Sequence, residues 1–224
     1  MPKFAVVTGC SYGLGLDIAD RLIDEGYFVC GLSRTKPPMK LFSAPDTFLW
    51  MDCDISKASD VKIAFERIGT PIDVLVNNAG VYQWGLFKNE FSFEEIDRII
   101  DTNVKGTMYV TKEALKLMNK KSDIFFINSV AGLAEKEWEA VYSASKHAIT
   151  AFAGALGAEL YTQMDDIRVT SIHPGGMKTP LQNEHPDKNK FLDTKEVTDT
   201  IIHVLNSKAT YKTIKLFSDI EWHQ

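Results

Sequence analysis

The sequence predicts one α/β domain built on a doubly wound, seven-stranded parallel sheet with helices on both faces. Two patterns carry this reading. Short continuous apolar runs alternate with longer amphipathic runs along the chain, as buried parallel strands joined by helices require. A glycine-rich turn, Thr8-Gly9-Cys10-Ser11-Tyr12-Gly13-Leu14-Gly15, follows the first strand run and opens the first helical run. No internal repeat, low-complexity tract or linker interrupts the 224 residues, so one domain spans residues 1–224.

The elements follow in order. Phe4 to Thr8 is a buried-strand run, and Leu16 to Glu25 a helix with apolar Leu16, Ala19, Leu22 and Ile23, closed by Gly26. Tyr27 to Leu32 and Phe48 to Met51 are strands; Ser56 caps a helix through Arg67. Val74 to Val76 is the fourth strand. Phe93 to Met118 reads as one long helix, with Ser92 and Glu95 at capping-box spacing. Ile124 to Ile127 is the fifth strand, Ala140 to Tyr161 a helix rich in small residues, and Ile167 to Ile172 the sixth strand. A loop with Pro174, Gly175, Gly176, Pro180 and Pro186 precedes a helix capped by Thr194 and running to about Asn206. Thr213 to Phe217 completes the sheet.

Composition excludes several function classes. The formal charge of −5 (25 Lys+Arg, 30 Asp+Glu) argues against a nucleic-acid binder that works through a net-basic surface. Cys10, Cys30 and Cys53 lack CxxC spacing and read as reduced thiols of a cytoplasmic protein. His147, His173, His185, His203 and His223 form no metal-ligand pattern, so no metal is expected. No charged-then-apolar leader and no run of 18 apolar residues appear, so no membrane partner is expected.

The glycine turn points to a dinucleotide. Gly9 allows the tight turn, Gly13 lets the backbone approach a pyrophosphate, and Gly15 permits helix to pack on strand. The helix N–H groups then face the anion. At the end of the second strand, an acidic residue would bind a ribose 2′-hydroxyl. Here stand Ser33 and Arg34, a hydroxyl and a guanidinium suited to a 2′-phosphate, which favours NADP(H) over NAD(H).

The Thr-Gly-x-x-x-Gly-x-Gly spacing, together with Asn77-Asn78-Ala79-Gly80 after the fourth strand, resembles the short-chain dehydrogenase/reductase family, whose fold is of the Rossmann type. Further matches stand in order. They are Asp54-Ile55, Asn103, Ser129, Tyr142-x-x-x-Lys146, Pro174-Gly175 and Thr179, and the resemblance runs from Lys3 to about Phe217. A second Tyr-x-x-x-Lys, Tyr211 and Lys215, acts as a control. It lies in an expected strand, where four residues span roughly 13 Å, whereas Tyr142 and Lys146 share one helix face.

The resemblance implies hydride transfer between nicotinamide and a ketone, aldehyde or secondary alcohol. Tyr142 is the implied general acid/base, Ser129 the hydrogen-bond partner of the substrate oxygen, and Lys146 the cation that lowers the tyrosine and holds the nicotinamide ribose. Asn103 is the implied anchor of a water relay. Lowering a phenol from about 10 to ~7 needs ~4 kcal/mol. A lysine at ~5 Å supplies roughly 3 kcal/mol at an effective dielectric near 20. The resemblance also assigns cofactor contacts to Gly9, Ser11, Tyr12, Gly13, Leu14, Gly15, Asp54, Ile55, Asn77, Ala79, Gly80, Pro174, Gly175 and Thr179. Tyr82, Gln83, Trp84, Val130, Leu133, Trp138, Met177, Leu181 and Phe191 suggest an apolar, aromatic-tolerant substrate pocket, with Lys178 and Lys188 near its mouth. The small residues of the Ala140–Tyr161 helix suggest a homodimer or homotetramer. An NADP-dependent carbonyl reductase or alcohol dehydrogenase leads. Oxoacyl-thioester, ketone, aldehyde and pteridine substrates all stay open, and a non-catalytic NADP(H)-binding sensor or scaffold is the alternative from another class.

Overall fold

The computed structural model describes residues 2–163, 166–179 and 191–218. Leu181 and Lys188, with Pro180 and Pro186, lie outside them. Seven strands form one sheet: β1 (Phe4–Thr8), β2 (Phe28–Ser33), β3 (Phe48–Asp52), β4 (Ile72–Asn77), β5 (Met118–Ile127), β6 (Ile167–Pro174) and β7 (Thr213–Leu216). Every pairing is parallel and the order is β3-β2-β1-β4-β5-β6-β7. The helices are α1 (Gly13–Asp24), α2 (Ala58–Ile68), the short α3 (Phe87–Glu90), α4 (Phe93–Ile100), α5 (Thr107–Leu115), α6 (Ala140–Thr162) and α7 (Thr194–Asn206).

Strand alternation divides the core in two. Ala5, Val7 and Phe125 face α1 and α7, where Ile18, Leu22 and Ile201 are buried. Val6, Ile124 and Phe126 face α2, α5 and α6, where Phe65, Val110 and Leu156 are buried. The chain travels outward from β1 through β2 to β3, then returns to β4 on the other side of β1. That reversal opens a crevice at the carboxyl ends of β1 and β4, where ligands of such sheets bind.

Several boundaries differ from the sequence reading. α1 begins at Gly13, three residues before Leu16. Ser56 does not cap α2; its hydroxyl donates to Asp54 Oδ1 at 2.7 Å and Lys57 precedes the helix. Asp193, not Thr194, caps α7, accepting from the Lys195 N–H at 3.0 Å. The Ser92–Glu95 capping box is present in both directions. The long helix is three pieces: α4, a π-helical turn over Asp101–Gly106, and α5. It ends before Met118, which starts β5 opposite Ile72. The β4–β5 register then shifts before Val74 pairs with Asp123.

Candidate active site

The glycine turn is shaped by its neighbours. Gly9 has φ +70°, and a Cβ there would lie 2.8 Å from the Ala79 Cα. A Cβ on Gly15 would lie 2.1 Å from the Gly9 carbonyl oxygen and 2.4 Å from Asn78 Nδ2, so only glycine fits. No side chain caps the N-terminus of α1, and its first turn holds no acidic residue. These N–H groups open on a cleft whose wall includes Gly9, Ser11, Tyr12, Gly13, Leu14 and Gly15.

Asn78 ties this turn to the end of β4. Its Nδ2 donates to the carbonyls of Thr8 (3.0 Å) and Gly9 (3.2 Å). Thr8 Oγ1 in return accepts from the Asn78 and Ala79 N–H groups, both at 3.0 Å. Asn78, Ala79 and Gly80 line the cleft, whereas Asn77 does not. Asn77 is the last residue of β4, so its side chain takes the opposite face from Asn78 and donates to Thr111 Oγ1 at 3.1 Å.

At the other end, Ser33, Arg34, Thr35, Cys53, Asp54 and Ile55 form the wall. The Ser33 hydroxyl is buried and donates to the Thr35 carbonyl at 2.8 Å while accepting from Trp50 Nε1 at 3.1 Å. The Ser11 hydroxyl donates to the same carbonyl at 2.8 Å. The Ser33 proton is therefore directed at the Thr35 carbonyl, where it shapes the turn. Arg34 is exposed and makes no ion pair among the described residues.

Tyr142 and Lys146 reach the cleft from adjacent turns of α6. Lys146 Nζ lies 5.6 Å from the Tyr142 ring centre and donates to the Ile127 carbonyl at 3.1 Å. The Ser129 hydroxyl, just past β5, is near enough to the Tyr142 phenol to favour its ionised form. Burial pulls the Lys146 ammonium down to about 8. Burial also pushes the Tyr142 phenol above its ordinary value, with the nearby Ser129 hydroxyl acting the other way and the Glu139 charge adding to the rise. Burial, rather than the Lys146 charge, therefore sets the direction of the Tyr142 shift.

Asn103 occupies the π-helical turn and is buried. Its Oδ1 accepts from the Val81 N–H at 2.8 Å, and its Nδ2 donates to the Val81 carbonyl at 2.9 Å and to Ser145 Oγ at 3.1 Å. A Cβ on Gly80 would fall 3.3 Å from Asn103 Oδ1 and 3.9 Å from Lys146 Nζ. The three residues are neighbours, although Asn103 itself is not on the cleft wall. Pro174 and Gly175 are not on it either. The Gly175 N–H instead continues the sheet by donating to the Leu216 carbonyl at 2.8 Å. Met177 and Thr179 are on the wall. The control pair falls elsewhere, with the Tyr211 hydroxyl 3.1 Å from His203 Nε2.

An aromatic rim extends from Tyr142. The Tyr82 ring meets it edge-on at 4.9 Å, and the Tyr82 hydroxyl donates to Glu139 Oε1 at 2.8 Å. Trp84 and Trp138 stack at 4.9 Å and are 56% and 41% exposed, an unusual solvent display for paired indoles. Gln83 turns away to Glu95 and Arg98. Val130 is buried, Leu133 is half-buried, and the buried Phe191 covers Gly176. Lys178 is exposed.

Comparison with known proteins gives the following. Residues 3–190 match the profile of the family described as short chain dehydrogenase. A farnesol dehydrogenase from Aedes aegypti is 31% identical over 221 residues, covering 92% of this chain and 90% of that protein. The solved structure of a 3-ketoacyl-(acyl-carrier-protein) reductase from Brucella melitensis, complexed with NADH, matches with a TM-score of 0.86 at 25% identity over 97% of both chains. A variant of actinorhodin polyketide ketoreductase with NADPH matches with a TM-score of 0.84 at 26% identity, over 98% of this chain and 97% of that one.

Proposed function

The chain belongs to the short-chain dehydrogenase/reductase family of oxidoreductases, and from that premise we propose that it is an NADP(H)-dependent reductase of aldehydes or ketones. One observation carries the reading. Tyr142, with Lys146 5.6 Å from its ring and the Ser129 hydroxyl near enough to favour its ionised form, shares a cleft wall with the uncapped N-terminus of α1.

The residues fit a nicotinamide dinucleotide. The Gly9–Gly15 cradle has no room for a Cβ at either end, and the N-terminus of α1 suits a pyrophosphate. Ala79 and Gly80 keep the floor low, and Lys146 and Thr179 reach the inner end. When bound, the cofactor supplies or accepts the hydride. The protein's own part is to hold a carbonyl oxygen between the Ser129 and Tyr142 hydroxyls and to deliver the phenol proton to it. The raised phenol keeps that proton on Tyr142 near neutrality, which suits reduction. Lys146 then stabilises the phenolate left behind. The exposed aromatic rim favours apolar or aromatic carbonyls, in keeping with a relative named for farnesol.

The NADP(H) preference rests on Arg34. A charge-assisted hydrogen bond of ~1.5–3 kcal/mol gives about a 10- to 100-fold preference. Arg34→Ala is expected to lose that factor in NADPH affinity and keep NADH affinity, read by nucleotide fluorescence titration. Equal losses for both cofactors overturn the assignment. A panel of aromatic, prenyl and aliphatic aldehydes and ketones, followed by absorbance with NADPH and then NADH, tests the activity itself. NADPH-dependent turnover of at least one member is the expected result.

Homo-oligomerisation and a cytoplasmic location belong to the same reading. Ala144, Ala151, Gly154, Ala155 and Ala158 leave an exposed, small-residue face on α6 that another copy could approach closely. The three cysteines are free and buried. Among the described residues no helix is long and apolar enough to cross a membrane.

A further inference from the structure

The last rung between β5 and β6 is the bond from the Asn128 N–H to the Ile172 carbonyl, 2.8 Å. Ser129 is the first residue beyond it, and its carbonyl has no strand partner to continue the ladder. A side chain takes that place. His173, fully buried at the end of β6, sets Nδ1 3.0 Å from the Ser129 carbonyl oxygen. A carbonyl only accepts, so Nδ1 carries the proton. Nε2 lies 2.9 Å from Ser171 Oγ and accepts from that hydroxyl. Both ring nitrogens are used, and one neutral tautomer satisfies them. Burial favours the uncharged ring.

Ser129 is held from the other side too. Its carbonyl accepts from the Gly132 N–H at 2.9 Å, and its Oγ accepts from the Ala131 N–H at 3.1 Å. A Cβ on Gly132 would lie 2.8 Å from the Lys146 carbonyl, so this turn packs directly on the α6 backbone that carries Lys146. The imidazole is therefore the part of the clamp that comes from the sheet. We propose that His173 is a positioning residue: braced by Ser171, it fixes the Ser129 peptide and so aims the Ser129 hydroxyl at Tyr142. This role rests on the reductase reading above.

Two amide replacements separate positioning from packing. Asn at 173 can place an N–H near the Nδ1 position, whereas Gln places its amide near Nε2. Gln is larger than Asn by one methylene and closer to His in volume, so packing alone would make His173→Asn the worse variant. With 4-nitrobenzaldehyde and NADPH, His173→Gln is expected to lose at least tenfold in kcat. Its NADPH Kd should match that of His173→Asn and its melting temperature should be no lower, whereas the kcat of His173→Asn should stay within about threefold of wild type. Equal kcat for the two variants, or losses that follow melting temperature, overturn the proposal while leaving the reductase reading intact. If the wild type turns over neither 4-nitrobenzaldehyde nor any other carbonyl of the panel, the reductase reading falls and this role falls with it. A readout independent of folding variants and of turnover is the nitrogen-15 spectrum of histidine-labelled wild type. The Nδ1–H tautomer at His173 at pH 8 is expected; the Nε2–H tautomer overturns the proposal.

Discussion

Tyr142→Phe is expected to abolish carbonyl reduction while NADPH still binds within about twofold of the wild-type affinity. The change removes one hydroxyl and leaves the ring edge-on against Tyr82. The missing atom is the phenol oxygen that the Ser129 hydroxyl influences and the one proposed to deliver the proton. General acid catalysis typically contributes 10²–10⁴-fold, so kcat should fall by roughly three orders of magnitude. Steady-state kinetics with a reactive carbonyl, alongside a nucleotide fluorescence titration, separates the two effects. Wild-type-like turnover in the variant would exclude Tyr142 as the acid. A parallel loss of cofactor affinity would instead point to a disturbed cleft.

The second large effect is at Lys146, where catalysis and stability oppose each other. Its ammonium is buried, and the fall from 10.5 to about 8 reflects the cost of burying the charge. That fall corresponds to on the order of 3 kcal/mol against the folded state when both states are protonated. The sign follows from proton counting. The folded pKa is below the unfolded one, so between about pH 8 and 10.5 the unfolded chain binds more protons than the folded protein. Stability contributed by this residue therefore rises with pH through that window, and the full penalty is present at pH 7. Lys146→Met removes the charge and also the hydrogen bond to the Ile127 carbonyl, worth about 1 kcal/mol. The variant should lose turnover by a factor of roughly a hundred or more. Yet it should be more stable than wild type by about 1–2 kcal/mol at pH 7, with the advantage shrinking toward pH 10. Chemical denaturation across that pH range, without added nucleotide, checks this. A variant less stable at pH 7, or an advantage that grows with pH, contradicts the buried-charge account.

Much of this arrangement is written locally. The runs at Phe4–Thr8 and Val74–Val76 are continuous and apolar because both faces of a central parallel strand are covered. The glycines at 9 and 15 stand where a side chain cannot fit, and Tyr142 and Lys146 share a helix face because of their spacing. What was illegible depends on distant partners. The amphipathic pattern runs unbroken through Asp101–Gly106. The π-helical turn appears only where Asn103 meets the backbone of Val81, twenty-two positions away. Whether Asn77 or Asn78 faces the cleft depends on the parity of a strand end, which composition does not encode. The bonds of the Ser33 hydroxyl to Thr35 and Trp50 likewise depend on how the turn after β2 folds back. His173 offered no signal beyond sitting before Pro174, because its partner Ser129 is forty-four residues away.

Isotope transfer tests the central claim most directly. The carbonyl panel is incubated with NADPH carrying deuterium at the transferable position of the nicotinamide, and the alcohols are analysed by mass spectrometry. One deuterium on the carbinol carbon of at least one product, lost in Tyr142→Phe, is the expected result. Tight NADPH binding with no deuterated alcohol from any carbonyl would contradict it, and would make the protein a nucleotide-binding sensor rather than a reductase.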